Sequence, residues 1–211
     1  MQMCPASDSS LLVSFGDAIS LAAHRQVRRL TAAFGEFPAG IRNLHPAFAS
    51  VLIDFDPRRY THADIEALVR ERMAGAAETD LEGRLVEIPV RYDGPDLDDV
   101  ARHTGLDPRR IIELHASAEY LVYFLGFSPG FPYLGGMPAE LATPRLAAPR
   151  KRVPAGSVAI GGSQTGVYPI ESPGGWRLIG RTELRLFDPT AEPPALLRMG
   201  DRVRFVPLEG I

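Results

Sequence analysis

The residues best suited to chemistry lie between Gly126 and Arg181. This segment holds 11 of the 20 glycines and 8 of the 19 prolines, with Phe127, Phe131, Tyr133, Tyr168 and Trp176 among them. Glycine serves where φ must be positive or where another atom must approach the backbone, and proline where φ must stay near −65°. The pattern predicts shaped loops between short strands, the wall a small-molecule site requires. Six basic side chains (Arg145, Arg150, Lys151, Arg152, Arg177, Arg181) face two acidic ones (Glu140, Glu171) here, while the whole chain carries a net charge of −3. A basic wall on an acidic protein favours a small anion or an acidic partner surface. Arg145, Arg150 and Arg152 are candidate carboxylate or phosphate forks, or solvated surface cations. Gly126 to Gly136 reads as a ligand loop or as a rigid cover of a barrel end. Gln164 and Thr165, between glycines, can orient a polar substrate or simply occupy a β-turn. Trp176 is barrel core or a stacking surface. His115 and Glu119, four residues apart, form a possible proton-transfer pair or a local helix-end contact.

Several chemistries are absent from the pattern. There is no G-x-x-x-x-G-K-[ST] phosphate loop. Ser157 lacks the downstream glycine of a nucleophile elbow. The five histidines and single cysteine have no zinc-ligand spacing, so no metal site is expected. A pI near 6.0 argues against nucleic acid. One cysteine, Cys4, together with the lack of a leader or a membrane-length apolar run, points to the cytoplasm and not to a membrane.

The elements that must position these residues follow from periodicity. Leu11–Phe15 reads as a strand. Ser20 caps a helix with Ala23, Val27, Leu30 and Phe34 on one face, ended by Gly35. Strands at Ile41–Leu44 and Ser50–Phe55 follow. Thr61 and Asp64 open a second helix carrying Ile65, Leu68, Val69 and Met73. Val86, Ile88 and Val90 alternate as a further strand. This order is the split β-α-β arrangement of a ferredoxin-like α/β domain. Two short helices come next, Leu97–His103 and Pro108–His115, the second capped by Asp107 with Pro108 at its first position. Tyr120–Leu125 reads as a nearly all-apolar strand, buried on both faces. Short strands at Ser157–Ile160, Thr165–Tyr168, Arg177–Gly180, Leu184–Phe187 and Arg202–Val206 then suggest a sandwich or barrel. The expected class is α+β, with a small α/β domain over 1–85 and a β-rich domain over 86–211.

The runs GFSPGFPYLGGMP, PRLAAPRKRVPAGSVAIGG, QTGVYP, SPGGWRLIGRTELRLFDP and GDRVRF, with the linker ELHASAEYLVYFLGF, resemble the family of bacterial 5-oxoprolinase B subunits. That family is also called KipI or allophanate hydrolase subunit 1, and is similar to part of the carboxyltransferase domain of urea carboxylase. The likeness is dense from Val86 to Pro207 and weaker before residue 80. It implies a cyclophilin-like barrel for the C-terminal domain. It also implies partners: a C subunit (KipA, allophanate hydrolase subunit 2-like) and an A subunit (LamB/YcsF-like). The implied reaction opens 5-oxoproline to glutamate with ATP as co-substrate, with or without Mg, the nucleotide site lying on this chain or a partner. On that reading His115, Gln164 and Thr165 are the expected catalytic residues. Gly130, Phe131, Pro132, Tyr133, Arg150, Tyr168 and Trp176 are the expected substrate-binding ones, with Arg150 on the anionic group and the Gly130–Phe131 backbone stabilising charge. Alternatives within the family are a regulator that inhibits a sensor histidine kinase and a component of an enzyme for allophanate or urea.

Overall fold

The computed structural model describes residues 1–76 and 83–208. It divides into two compact units, Met1–Leu81 and Glu82–Ile211.

The first unit contains β1 (Gln2–Ser7), β2 (Ser10–Ser14), α1 (Leu21–Phe34), β3 (Ile41–Pro46), β4 (Ser50–Phe55) and α2 (His62–Gly75). Its sheet has the order β1-β2-β4-β3, antiparallel throughout. Both helices begin where side chains satisfy otherwise orphaned backbone donors. The Ser20 hydroxyl accepts from the Ala23 N–H at 3.1 Å. Thr61 and Asp64 form a reciprocal capping box. Ala23, Val27, Leu30 and Phe34 of α1 are buried with Leu11, Val13, Val51, Ile53 and Phe55 of the sheet.

The fourth strand expected for this unit is corrected. Residues Leu85–Val90 join the other sheet, and β1 takes the outer position. β1 gave no periodic signal because, except for half-buried Met3, its residues are exposed, and Pro5 is tolerated on such an edge.

The second unit contains β5 (Leu85–Val90), α3 (Leu97–Thr104), α4 (Pro108–Ser117), β6 (Glu119–Leu125), β7 (Pro132–Gly135), a 3-10 turn at Ala139–Leu141, β8 (Arg150–Val153), β9 (Ser157–Gly161), β10 (Gln164–Val167), β11 (Ser172–Gly174), β12 (Arg177–Arg181) and β13 (Arg202–Pro207). Seven strands form one sheet in the order β12-β9-β10-β7-β6-β13-β5. Paired backbone hydrogen bonds of 2.9 and 2.8 Å between Arg91 and Arg181 bring its two ends together, so the sheet is nearly closed and barrel-like. Closure leaves few unpaired strand edges. Val90, Ile111, Tyr120, Val122, Leu134, Ile160, Val167, Ile179 and Phe205 fill the interior. β8 and β11 pair separately as a two-stranded ribbon.

Two strand expectations change. Leu184–Phe187 makes only an isolated bridge, Phe187 to Ala195, and as a loop drops Leu186 into the core. In β6, Tyr120, Val122 and Tyr123 are buried, whereas Phe124 and Leu125 are only half-buried.

Candidate functional site

β9, β10 and β12 are buried on both faces, and the two faces do different things. Val158, Ile160, Val167 and Ile179 point into the barrel core, whereas Ala159 and Leu178 pack with Phe131, Val153, Tyr168 and Trp176 in a second, aromatic cluster. Phe131 is the hub of that cluster. Its ring meets Tyr133, Tyr168 and Trp176 edge-on at centroid separations of 5.4, 5.3 and 5.6 Å, the geometry aromatic quadrupoles favour. These four side chains, with Phe127, Arg145, Gly174 and Gly175, enclose a cavity of about 110 Å³.

The local sequence explains the pocket. A Cβ at Gly161 would stand 2.5 Å from the Trp176 indole nitrogen, so only glycine lets the ring lie against the strand. The loop before β7 turns through Phe127 at φ +68° and Gly130 at φ +77°. Phe127 is 61% exposed at the pocket mouth, its ring 5.4 Å from that of Phe131. A non-glycine residue held at positive φ is a strained conformation that its surroundings must impose. Burial raises the Tyr168 phenol pKa, opposed to a smaller extent by the neighbouring Trp176 backbone and then by the charges of Arg145 and Arg150.

Of the expected binding residues, Phe131, Tyr133, Tyr168 and Trp176 converge on this pocket. Pro132 begins β7 and is buried beneath it. Gly130 is also buried, where a Cβ would come within 2.9 Å of the Phe187 Cβ. The Phe131 N–H donates to the Ser128 carbonyl at 3.0 Å, closing the turn that presents the ring. Gln164 is half-buried opposite Gly161 at the start of β10, outside the aromatic lining.

Arg150 also departs from expectation. Its Nη2 donates to Asp96 Oδ1 at 2.6 Å, and Asp96 Oδ2 accepts from the Leu178 N–H at 2.7 Å. Asp96 is buried, so Arg150 is committed to a structural pair that ties β8 to the start of α3, which the Leu178 bond in turn ties to β12. It lines a neighbouring groove of about 530 Å³ with Arg152, Arg181 and Asp93. Arg145, one of the three arginines the sequence offered, is the cation at the aromatic pocket, 5.7 Å from the Trp176 ring centroid.

His115 and Thr165 lie in the barrel interior, neither with any solvent exposure. The Thr165 hydroxyl donates to the Ala159 carbonyl at 3.0 Å and therefore accepts from His115 Nε2–H at 2.8 Å. That tautomer leaves Nδ1 to accept from the Tyr92 hydroxyl at 2.8 Å. The imidazole stacks on Phe205 at 4.4 Å, and burial pushes its pKa down to about 3. A neutral histidine with both nitrogens engaged inside a packed core holds strands together and does not meet a solute. His115 and Thr165, two of the expected catalytic residues, are thus placed in the barrel interior and not at the aromatic pocket. The supposed partner Glu119 instead binds Arg202 at 3.0 Å and Arg204 at 3.4 Å. Among the described residues, no group of three or more His, Cys, Asp or Glu side chains is placed to hold a metal ion, and no helix is long and apolar enough to cross a membrane.

The chain is thus mixed α+β, with a nearly closed sheet that carries an aromatic pocket on its outer face. The chain belongs to the family described as carboxyltransferase domain, subdomain C and D, whose model matches residues 1–197. Within it, the chain is similar to the B subunit of 5-oxoprolinase. It is 45% identical to the Bacillus subtilis protein of that name, over 94% of this chain and 89% of the relative. It is 46% identical to the Escherichia coli O157:H7 protein of the same name, over 95% and 93%. Among solved structures, TTHA0988 superposes with a TM-score of 0.87 at 42% identity, covering 96% of this chain. The chain spans 40% of the length of that protein.

Proposed function

We propose that this chain is the B subunit of a cytoplasmic, ATP-dependent 5-oxoprolinase that opens 5-oxo-L-proline to L-glutamate. It works with a KipA-like C subunit and a LamB/YcsF-like A subunit. The observation that carries this reading is the aromatic pocket with Arg145 at its rim, in a chain whose relatives bear that name. A cavity of about 110 Å³ suits a single five-membered ring, since one water occupies roughly 30 Å³.

The chemistry explains why ATP is consumed. A lactam is an unreactive amide, and transfer of the γ-phosphoryl group to its carbonyl oxygen, with loss of ADP, makes the carbon electrophilic. Water then adds to that carbon, the C–N bond breaks as nitrogen takes a proton and leaves an acyl phosphate, and a second water releases phosphate to give the free carboxylate. In this division of labour the chain's cyclophilin-like barrel supplies the wall that holds the ring, and a partner completes the site.

The test is ATP consumption by the chain reconstituted with its A and C partners. Turnover that depends on 5-oxoproline, and that falls at least tenfold with Trp176→Ala, supports the proposal. ATP consumption with allophanate in place of 5-oxoproline would overturn it. Turnover with neither substrate would point to regulatory binding.

A further inference from the structure

The arginines around the barrel are not equivalent. Arg150 is paired with Asp96, Arg152 with Glu171, Arg177 with Asp99, Arg181 with Asp93 and Arg185 with Asp188, all within 3.0 Å. Arg145 has no carboxylate partner among the described residues. It is exposed, it lies over the Trp176 ring, and its charge is felt at the Tyr168 phenol. The rest of the pocket lining is aromatic or glycine and carries no formal charge. One cation over an apolar, ring-walled cavity complements a ligand with one negative charge and a compact apolar body. A guanidinium edge matches the two oxygens of a carboxylate, whereas a phosphate dianion would call for a second cation.

We propose that Arg145 is the carboxylate anchor of the aromatic pocket and sets its selectivity for small ring monocarboxylates over neutral rings of the same size. This rests on the proposed function for the natural ligand, 5-oxoproline, but the anchor itself is a property of the pocket. The ligand's ring lies among Phe127, Phe131, Tyr133 and Trp176, and its carboxylate takes the guanidinium edge at the rim.

The chain contains its own probe, because Trp176 is the sole tryptophan. The full chain is titrated with 5-oxoproline, with cyclopentanecarboxylate, which has the acid but no lactam, and with 2-pyrrolidinone, which has the lactam but no acid. Saturable change in indole emission is expected with both acids and not with 2-pyrrolidinone. Arg145→Ala should raise Kd for the acids about tenfold or more, the loss of a charge-assisted pair, and leave the urea midpoint unchanged. Arg145→Lys should lose less. Equal binding of 2-pyrrolidinone, unchanged affinity in Arg145→Ala, or no response to either acid would overturn the anchor. A response to cyclopentanecarboxylate alone would leave the anchor standing and sink the 5-oxoproline reading. Conversely, 5-oxoproline turnover by the reconstituted complex that is insensitive to Arg145→Ala would sink the anchor and leave the proposed function intact.

Discussion

Thr165→Val separates a structural role for the buried hydrogen-bond chain from a catalytic one. Valine keeps the shape of threonine and removes only the hydroxyl, which joins His115 Nε2–H at 2.8 Å to the Ala159 carbonyl at 3.0 Å. The variant leaves a buried imidazole N–H without an acceptor, at a cost of about 1–3 kcal/mol, and removes a hydrogen bond to the Ala159 carbonyl worth about 1 kcal/mol. The expected loss is therefore about 2–4 kcal/mol. With a urea dependence of about 1–3 kcal/mol per molar, the unfolding midpoint should drop by about 1–2 M with little change in slope. The assay is urea denaturation of the full chain followed by far-UV circular dichroism, alongside turnover of the reconstituted complex below the transition. An unchanged midpoint accompanied by a hundredfold fall in kcat would refute the reasoning and return Thr165 and His115 to the reaction.

The same burial makes the fold acid-sensitive. His115 is held at a pKa of about 3 by burial, and His24 at about 4 by burial and then by Arg28. Both values lie below that of an unfolded histidine, so this contribution is complete above about pH 6.5 and is lost as pH falls toward about 4 and then about 3. Each histidine adds a slope of up to about 1.4 kcal/mol per pH unit in that window; urea midpoints between about pH 7.5 and about 4.5 should fall, and His115→Gln should flatten the part due to the second unit. Gly161→Ala should expel the indole, whose nitrogen would lie 2.5 Å from the new Cβ; Trp176 emission should shift and the response to ligand disappear, while circular dichroism is unchanged. Asp96→Ala strands the Leu178 N–H and frees Arg150; a loss of about 2–4 kcal/mol is expected in urea, softened because Arg150 can turn partly to water.

Much of this protein is legible locally. The caps at Ser20, at Thr61 with Asp64, and at Asp107 are contacts within three residues, and the helices begin where those caps predict. The aromatic wall was also legible, because a ring that lies on a backbone needs glycine beside it, and the chain between Gly126 and Arg181 spells out both. Four of the residues so named, Phe131, Tyr133, Tyr168 and Trp176, share one cavity.

What the sequence could not decide was which partner each polar group would meet. Arg145 and Arg150 stand five residues apart with the same chemistry, and Asp96, 54 residues before Arg150, neutralises only one of them. His115 has the composition of a catalytic base, yet barrel closure packs Phe205 against it and gives both its nitrogens to Tyr92 and Thr165. Strand Leu85–Val90 alternates as well as any, but its parallel register with Arg202–Pro207 places it in the second sheet. Periodicity and capping act over a few residues and are written in the chain, whereas ion pairing, desolvation and strand register depend on groups that only the closed fold brings together.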